Sequence, residues 1–261
     1  YIPQSVTDIE KKAFNDNAVI YGYANSAAEE FAKNNDIKFV AVNSHDEYLS
    51  LLTYSDTDNS SYKSAIDELS QLGIINGFED GTFKPQDNVT RAQAATMFAT
   101  ALGYSDTKYQ NIATDKAVFS DFLMSHWAYK YADYVMKSAD ISSGETNCIL
   151  SGFEDGTFRP DNNVTIIQLL KMAICSLGED GYMAEAVENG GYPNGYNTVA
   201  GKYGFSKSIA VDDINQPATR EQTAQIISNT INMPIKRFGA INSITADHKT
   251  ESEKFLSLIH I

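Results

Sequence analysis

Two arginines stand where a chain can hold an anion. Arg91 follows Thr90 and Arg220 follows Thr219, each in a Thr-Arg-x-Gln string in which Thr at the N-cap and Gln three residues on form a capping box. The arginine then takes the first helical position, beside backbone N–H groups that no helical carbonyl accepts and at the positive end of the dipole. Each start therefore suits a carboxylate or phosphate, and the planar guanidinium fork can add two parallel hydrogen bonds. From position alone, an ion pair to an Asp or Glu of a neighbouring segment is an equal alternative. On the exposed reading such an arginine carries little of a core, so Arg91→Ala and Arg220→Ala are expected to weaken binding and leave the fold intact. A third string, Thr165-Ile166-Ile167-Gln168, keeps the cap and replaces the arginine with Ile166. Its helix start offers no charge.

Asp56 and Asp121 close the triplets Tyr54-Ser55-Asp56 and Phe119-Ser120-Asp121. A carboxylate there can accept bonds from sugar hydroxyls. Trp127 is either a packing residue or a platform for a sugar face. Catalysis and metal binding find little support. His45, His126, His248 and His260 form no His-x-x-x-His pair, and there is no Gly-x-Ser-x-Gly elbow or phosphate-binding loop. The stretch from Asp80 to Asn88 lacks the alternating Asp/Asn ligands and terminal Glu of a calcium loop. A formal charge of −14 argues against nucleic acid or an anionic membrane surface as partner, because both need a basic face. An anionic ligand must be held by placed groups instead. No apolar run reaches the ~18 residues of a membrane span. Cys148 and Cys175 are too few for a disulfide scaffold, and one bridge or two buried thiols both stay open.

A repeat positions the helix starts. Residues 77–90 read Gly-Phe-Glu-Asp-Gly-Thr-Phe-Lys-Pro-Gln-Asp-Asn-Val-Thr, and residues 152–165 repeat them with conservative changes at a constant offset of 75. Asp80-Gly81 and Asp155-Gly156 supply tight turns because Gly accepts positive φ. The Thr-Phe that follows is short and β-like, and Pro85 or Pro160 stops any ladder. Each arm leads into an apolar-periodic helix, such as that carrying Ala95, Met97, Phe98, Ala101 and Leu102. The third start opens Ala224, Ile226, Ile227 and Ile231 after Pro217, with its arm eroded. Three units follow, two clear and one degenerate.

The run Gly73-Ile74-Ile75-Asn76-Gly77-Phe78-Glu79-Asp80-Gly81-Thr82-Phe83-Lys84-Pro85, followed by Val89-Thr90-Arg91-Ala92-Gln93, resembles the S-layer homology (SLH) module. The second unit resembles it also at its front, in Phe119-Ser120-Asp121 and His126-Trp127-Ala128. In the third, Gly191-Tyr192-Pro193-Asn194-Gly195-Tyr196 and Pro217-Ala218-Thr219-Arg220 are similar to the divergent last module of such triplets. The resemblance implies a mainly α fold: three helix pairs with short β-like arms in a pseudo-three-fold spindle, second helices at the centre and ligand grooves between neighbours. It implies no cofactor, no catalytic residue and an extracellular location. The implied function is a non-catalytic anchor that binds pyruvylated secondary cell-wall polysaccharide, linked to peptidoglycan, at a Gram-positive-type surface. Carried onto this sequence, the glycan-binding set is Arg91, Arg220, Asp56, Asp121, Trp127, Thr90 and Thr219.

The expected organisation is residues 1–42, a polar linker at 43–49, unit one at 50–110, unit two at 111–179, unit three at 180–233, and a tail at 234–261. Ile2-Pro3-Gln4-Ser5-Val6-Thr7 with Ala13-Phe14 resembles the last turn of a BspA-like leucine-rich repeat, in which Ala-Phe plugs the core. Val19 to Val42 resembles the strand, helix and closing strand that cap it, with Asn25 or Ser26 as helix cap. Unit one's first helix carries Ala65, Ile66, Leu69 and Leu72, and unit two's runs from about Trp127 to Met136 before an excursion at 141–148. Phe255-Leu256-Ser257-Leu258-Ile259 reads as a first strand of a further module. The chain opens in mid-motif and reads as a piece of a longer protein. Two other functions stay in view: an adhesin whose leucine-rich part recognises a protein or glycan with the SLH units as its mount, and an enzyme whose catalytic part lies in missing flanks.

Overall fold

The computed structural model describes residues 1–10, 13–14, 18–111, 113, 117–138, 149–210 and 213–234. The N-terminal piece is a parallel strand–helix–strand unit of β1 (Val19–Gly22), α1 (Ala27–Asn34) and β2 (Lys38–Ala41). Ile2 bridges to Gly22 in the same sense, its N–H donating to Tyr21 O at 2.8 Å. Ser26 caps α1, accepting from Glu29 N–H. Ile2, Ile20, Ala28 and Ala32 form a small core of their own. Phe14 does not plug it: the ring is 38% exposed and meets Phe31 edge-on at 5.8 Å.

Residues expected as a linker instead form α2 (His45–Ser50). Ser44 Oγ accepts Glu47 N–H at 3.0 Å, and the Glu47 carboxylate returns to accept Asn43 N–H at 2.7 Å. One free helix-start donor is thus satisfied by the cap, and the residue before the cap is tied back to the first turn. Tyr48 stacks on Tyr1 at 5.1 Å and lies 5.2 Å from Tyr21, which joins α2 to the N-terminal piece.

The three units contribute α3 (Lys63–Gln71), α4 (Arg91–Ala101), α5 (Asp106–Gln110), α6 (Tyr129–Ser138), α7 (Ile166–Cys175), α8 (Ala184–Glu188), α9 (Asn194–Tyr203) and α10 (Arg220–Ile231), with a π-helical turn at Glu179–Met183. Helix α6 begins two residues after Trp127, and α5, α8 and the π turn had no expected counterpart. Among the described residues the arms form no strand; the Thr-Phe pairs are held by turn bonds such as Phe78 N–H to Thr82 O at 2.8 Å. The 141–148 excursion, Cys148 and the 235–261 tail lie outside the described residues; Cys175 is buried on α7.

The local signals at the second helices hold in full. Thr90, Thr165 and Thr219 each form a reciprocal capping box, with Gln93, Gln168 and Gln222. The second helices, however, pack on first helices of other units rather than on their own. Helix α4 packs on α6, α7 on α9, and α10 on α3, so each second helix meets the first helix of the next unit and the last returns to the first. Backbone bonds follow the same cycle. Val164 N–H donates to Val89 O at 2.9 Å, Ala218 N–H to Val164 O at 2.9 Å, and Val89 N–H to Ala218 O at 3.0 Å. One continuous core results, including the fully buried rings of Phe83, Phe98, Phe122, Phe158, Tyr182 and Phe205. Each such ring contributes about 1.5–3 kcal/mol of burial.

Candidate functional site

Each arm is fastened by the front of its own unit. The Tyr54 ring lies against Gly77, where an added Cβ would stand 2.2 Å from the ring, and the Phe119 ring covers Gly152 at the same distance. Asp56 accepts Phe83 N–H and Lys84 N–H through its two oxygens, both at 2.8 Å. Asp121 does the same for Phe158 at 2.6 Å and Arg159 at 2.8 Å. The clamped residues Lys84 and Arg159 sit at φ 56° and 57°, a conformation that costs a non-glycine residue about 1–2 kcal/mol. The carboxylates hold that bend. Asp56 and Asp121, expected as glycan acceptors, each clamp their own arm through both oxygens while remaining exposed.

The arginines are also placed differently from expectation. Arg91 is 8% exposed and Arg220 6%, and each reaches the arm of another unit. Arg91 Nε donates to Phe158 O and Nη2 to Ser151 O, both at 2.8 Å; Arg220 Nε donates to Phe83 O at 2.7 Å and Nη2 to Asn76 O at 3.1 Å. Each guanidinium packs over two phenyl rings, Phe153 and Phe158 at 4.9 and 4.7 Å, Phe78 and Phe83 at 4.9 and 4.5 Å. The partners are carbonyls rather than the carboxylates of an ion pair. Removing either side chain should therefore damage the fold, contrary to the expectation from an exposed groove. Burial holds the Arg91 guanidinium down to about 10; nearby Arg159 adds to this, while Tyr192 and Asp121 oppose it. Burial also lowers Arg220, against Tyr54, Asp87 and Asp56. Ile166, at the third start, is fully buried.

Thr90 and Thr219, expected to touch ligand, spend their hydroxyls on the caps at 3.2 and 3.3 Å from Gln93 N and Gln222 N. Trp127 is 57% exposed, which removes the packing reading. The structure does not place it among the residues lining the cleft at Arg91.

That cleft has a volume of about 620 Å³ and opens between Arg91, the second arm, the outer side of α7 and Tyr192 of unit three. Its cations are Arg91, Arg159 and Lys171. The Arg159 guanidinium lies 3.9 Å from the centre of the Phe153 ring and 2.8 Å from the Asp155 carboxylate. Lys171 Nζ donates to Ser151 Oγ at 2.9 Å and stands 5.9 Å from the Tyr192 ring, itself 50% exposed. Ordered cations beside the half-buried Phe153 ring and the exposed Tyr192 ring can hold a carboxylate joined to a sugar ring. Sequence reasoning found Arg91 and missed Arg159 and Lys171. The signal was present in the repeat, where Lys171 stands at the place of Thr96.

The S-layer homology domain matches residues 53–95 and 118–165, the arm-bearing parts of units one and two. The chain is similar to Cell surface glycoprotein 1 of Acetivibrio thermocellus, 40% identical over 91 residues, which is 35% of this chain and 3% of that protein. It is similar to the Cellulosome-anchoring protein of the same organism, 36% identical over 92 residues, 35% of this chain and 18% of that protein. The Middle cell wall protein of Brevibacillus brevis is 25% identical over 170 residues, 65% of this chain and 14% of that protein. The chain thus spans less than a fifth of the length of each of these relatives. It carries S-layer homology segments and has a cell-surface or cell-wall location. Among the described residues no helix is long and apolar enough to cross a membrane.

Proposed function

We propose that this chain is a non-catalytic anchoring module that ties a larger protein to the cell wall by binding an anionic, pyruvylated secondary cell-wall polysaccharide. The observation that carries the reading is the cleft beside Arg91, with Arg159, Lys171 and the rings of Phe153 and Tyr192 on its walls. Arg91 serves there as the buried cation that sets the field and braces the second arm, while Lys171 and Arg159 face the ligand. Desolvation makes each such contact stronger than in open water. The module works as a pseudo-three-fold spindle of S-layer homology units, a reading supported by the cyclic helix pairing and cyclic backbone bonds. Residues 1–42 act as the end of a leucine-rich-repeat region, supported by their parallel strand–helix–strand order and separate small core. The relatives' names, which speak of cell surface, cell wall and anchoring, agree with this assignment.

The test is co-sedimentation of the chain with purified Gram-positive cell wall before and after chemical removal of the secondary polysaccharide. Binding to the intact wall and loss after removal is the expected result. Retention on stripped peptidoglycan, or failure to sediment with intact wall, would overturn the proposal.

A further inference from the structure

The two arms are near copies, yet the surfaces beside them differ in charge. We infer that this chain has one working anion groove, the cleft along residues 152–159, and that Lys171 is the residue that selects it. The inference rests on the glycan-binding reading and names the side chain that makes one groove specific.

At the 75-residue offset Lys171 corresponds to Thr96, Arg159 to Lys84 and Asn162 to Asp87. Thr96 is turned onto its own helix, its hydroxyl donating to Ala92 O at 3.1 Å. Lys84 is 3.7 Å from the Asp80 carboxylate and 4.0 Å from the centre of the Phe78 ring. Beside the second arm stand Arg91, Arg159 and Lys171 against Glu154 and Asp155. The matching places at the first arm hold Arg220 and Lys84 against Glu79 and Asp80, and Asp87 acts on Arg220 in addition. The cleft beside the second arm thus carries one cation in excess of the matching places at the first arm, while Asp121 and Asp56 act alike on the two arginines.

Lys171 is that excess. Among the described residues no carboxylate lies within ion-pair distance of its ammonium, whose partner is the neutral Ser151 hydroxyl. An ammonium carries three donors, so two remain for a ligand carboxylate on the open side of the cleft. Arg91, buried without a carboxylate bonded to it, gains from the same incoming charge. The third helix start adds nothing, since Ile166 is buried and uncharged.

The test is calorimetric titration of the whole 261-residue chain with a methyl hexoside bearing a pyruvate ketal, and with the same hexoside lacking it. One site per chain is expected for the ketal. Lys171→Thr should weaken it roughly ten- to a hundred-fold, the loss of one charge-assisted contact, and flatten its salt dependence. Lys171→Arg should stay close to the parent, and Thr96→Lys should bring in a second site. Two sites in the parent, or unchanged affinity in Lys171→Thr with a parent-like melt, would overturn this inference and leave the glycan-binding reading standing. Equal affinity for the ketal-free hexoside would remove the anion selectivity itself. If intact wall binds the chain but the ketal does not, the inference falls alone; if neither binds, both fall.

Discussion

Replacing Arg91 with alanine tests whether the residue is a brace or only a ligand contact. The side chain makes two hydrogen bonds to carbonyls of unit two, at 2.8 Å each, and packs over Phe153 and Phe158. Hydrogen bonds that involve a charged group contribute about 1.5–3 kcal/mol each. Desolvation of the buried guanidinium, which also lowers its pKa, offsets part of this, so the low end is the better guide. Two bonds at that end give a loss of about 3 kcal/mol. For a chain of this size each kcal/mol moves the midpoint by roughly 2–4 °C, so the melt should fall on the order of 6–12 °C. Arg91→Lys should lose about half as much, because an ammonium lacks the planar fork that spans Ser151 O and Phe158 O. Calorimetric melts of parent, Arg91→Lys and Arg91→Ala provide the readout. A midpoint for Arg91→Ala within about 2 °C of the parent would refute the brace and return the arginine to a purely ligand-facing position.

Gly152→Ala would place a Cβ 2.2 Å from the Phe119 ring and 2.8 Å from Thr157 O. Overpacking of this kind costs about 1–3 kcal/mol and should register as a lower denaturation midpoint. Thr219→Ala removes the cap of α10 and the reciprocal box with Gln222, a loss of about 1 kcal/mol readable in urea titration. Asp155 is held down from 3.8 to about 2 by the Thr157 hydroxyl, Arg159 and the Thr157 N–H. A depressed carboxylate stabilises the fold above its ordinary pKa, and the gain disappears as pH falls through the folded value. Asp155→Asn should therefore melt below the parent at pH 6, with the gap shrinking as pH falls from 3.8 towards about 2; a gap as large at pH 2 as at pH 6 would mean the side chain acts through packing.

The chain's sequence alone determined what is local. The three capping boxes are each complete within four residues, the Asp-Gly turns within two, and the 75-residue repeat is visible without any contact map. Even the unexpected helix α2 was written locally, in Ser44 and Glu47. Tertiary structure decided what those elements are for. Arg91 meets its carbonyl partners 60 and 67 residues away, and Arg220 meets its own at 137 and 144. A helix start of the same composition serves an exposed anion or a buried carbonyl equally well, and only packing settles which. Asp56 and Asp121 became clamps for the same reason, since two backbone N–H groups 27 to 38 residues downstream claimed their oxygens. Lys171 and Tyr192 became neighbours only when α7 packed on α9. Their cleft belongs to no single unit, because it opens where the surfaces of three units meet.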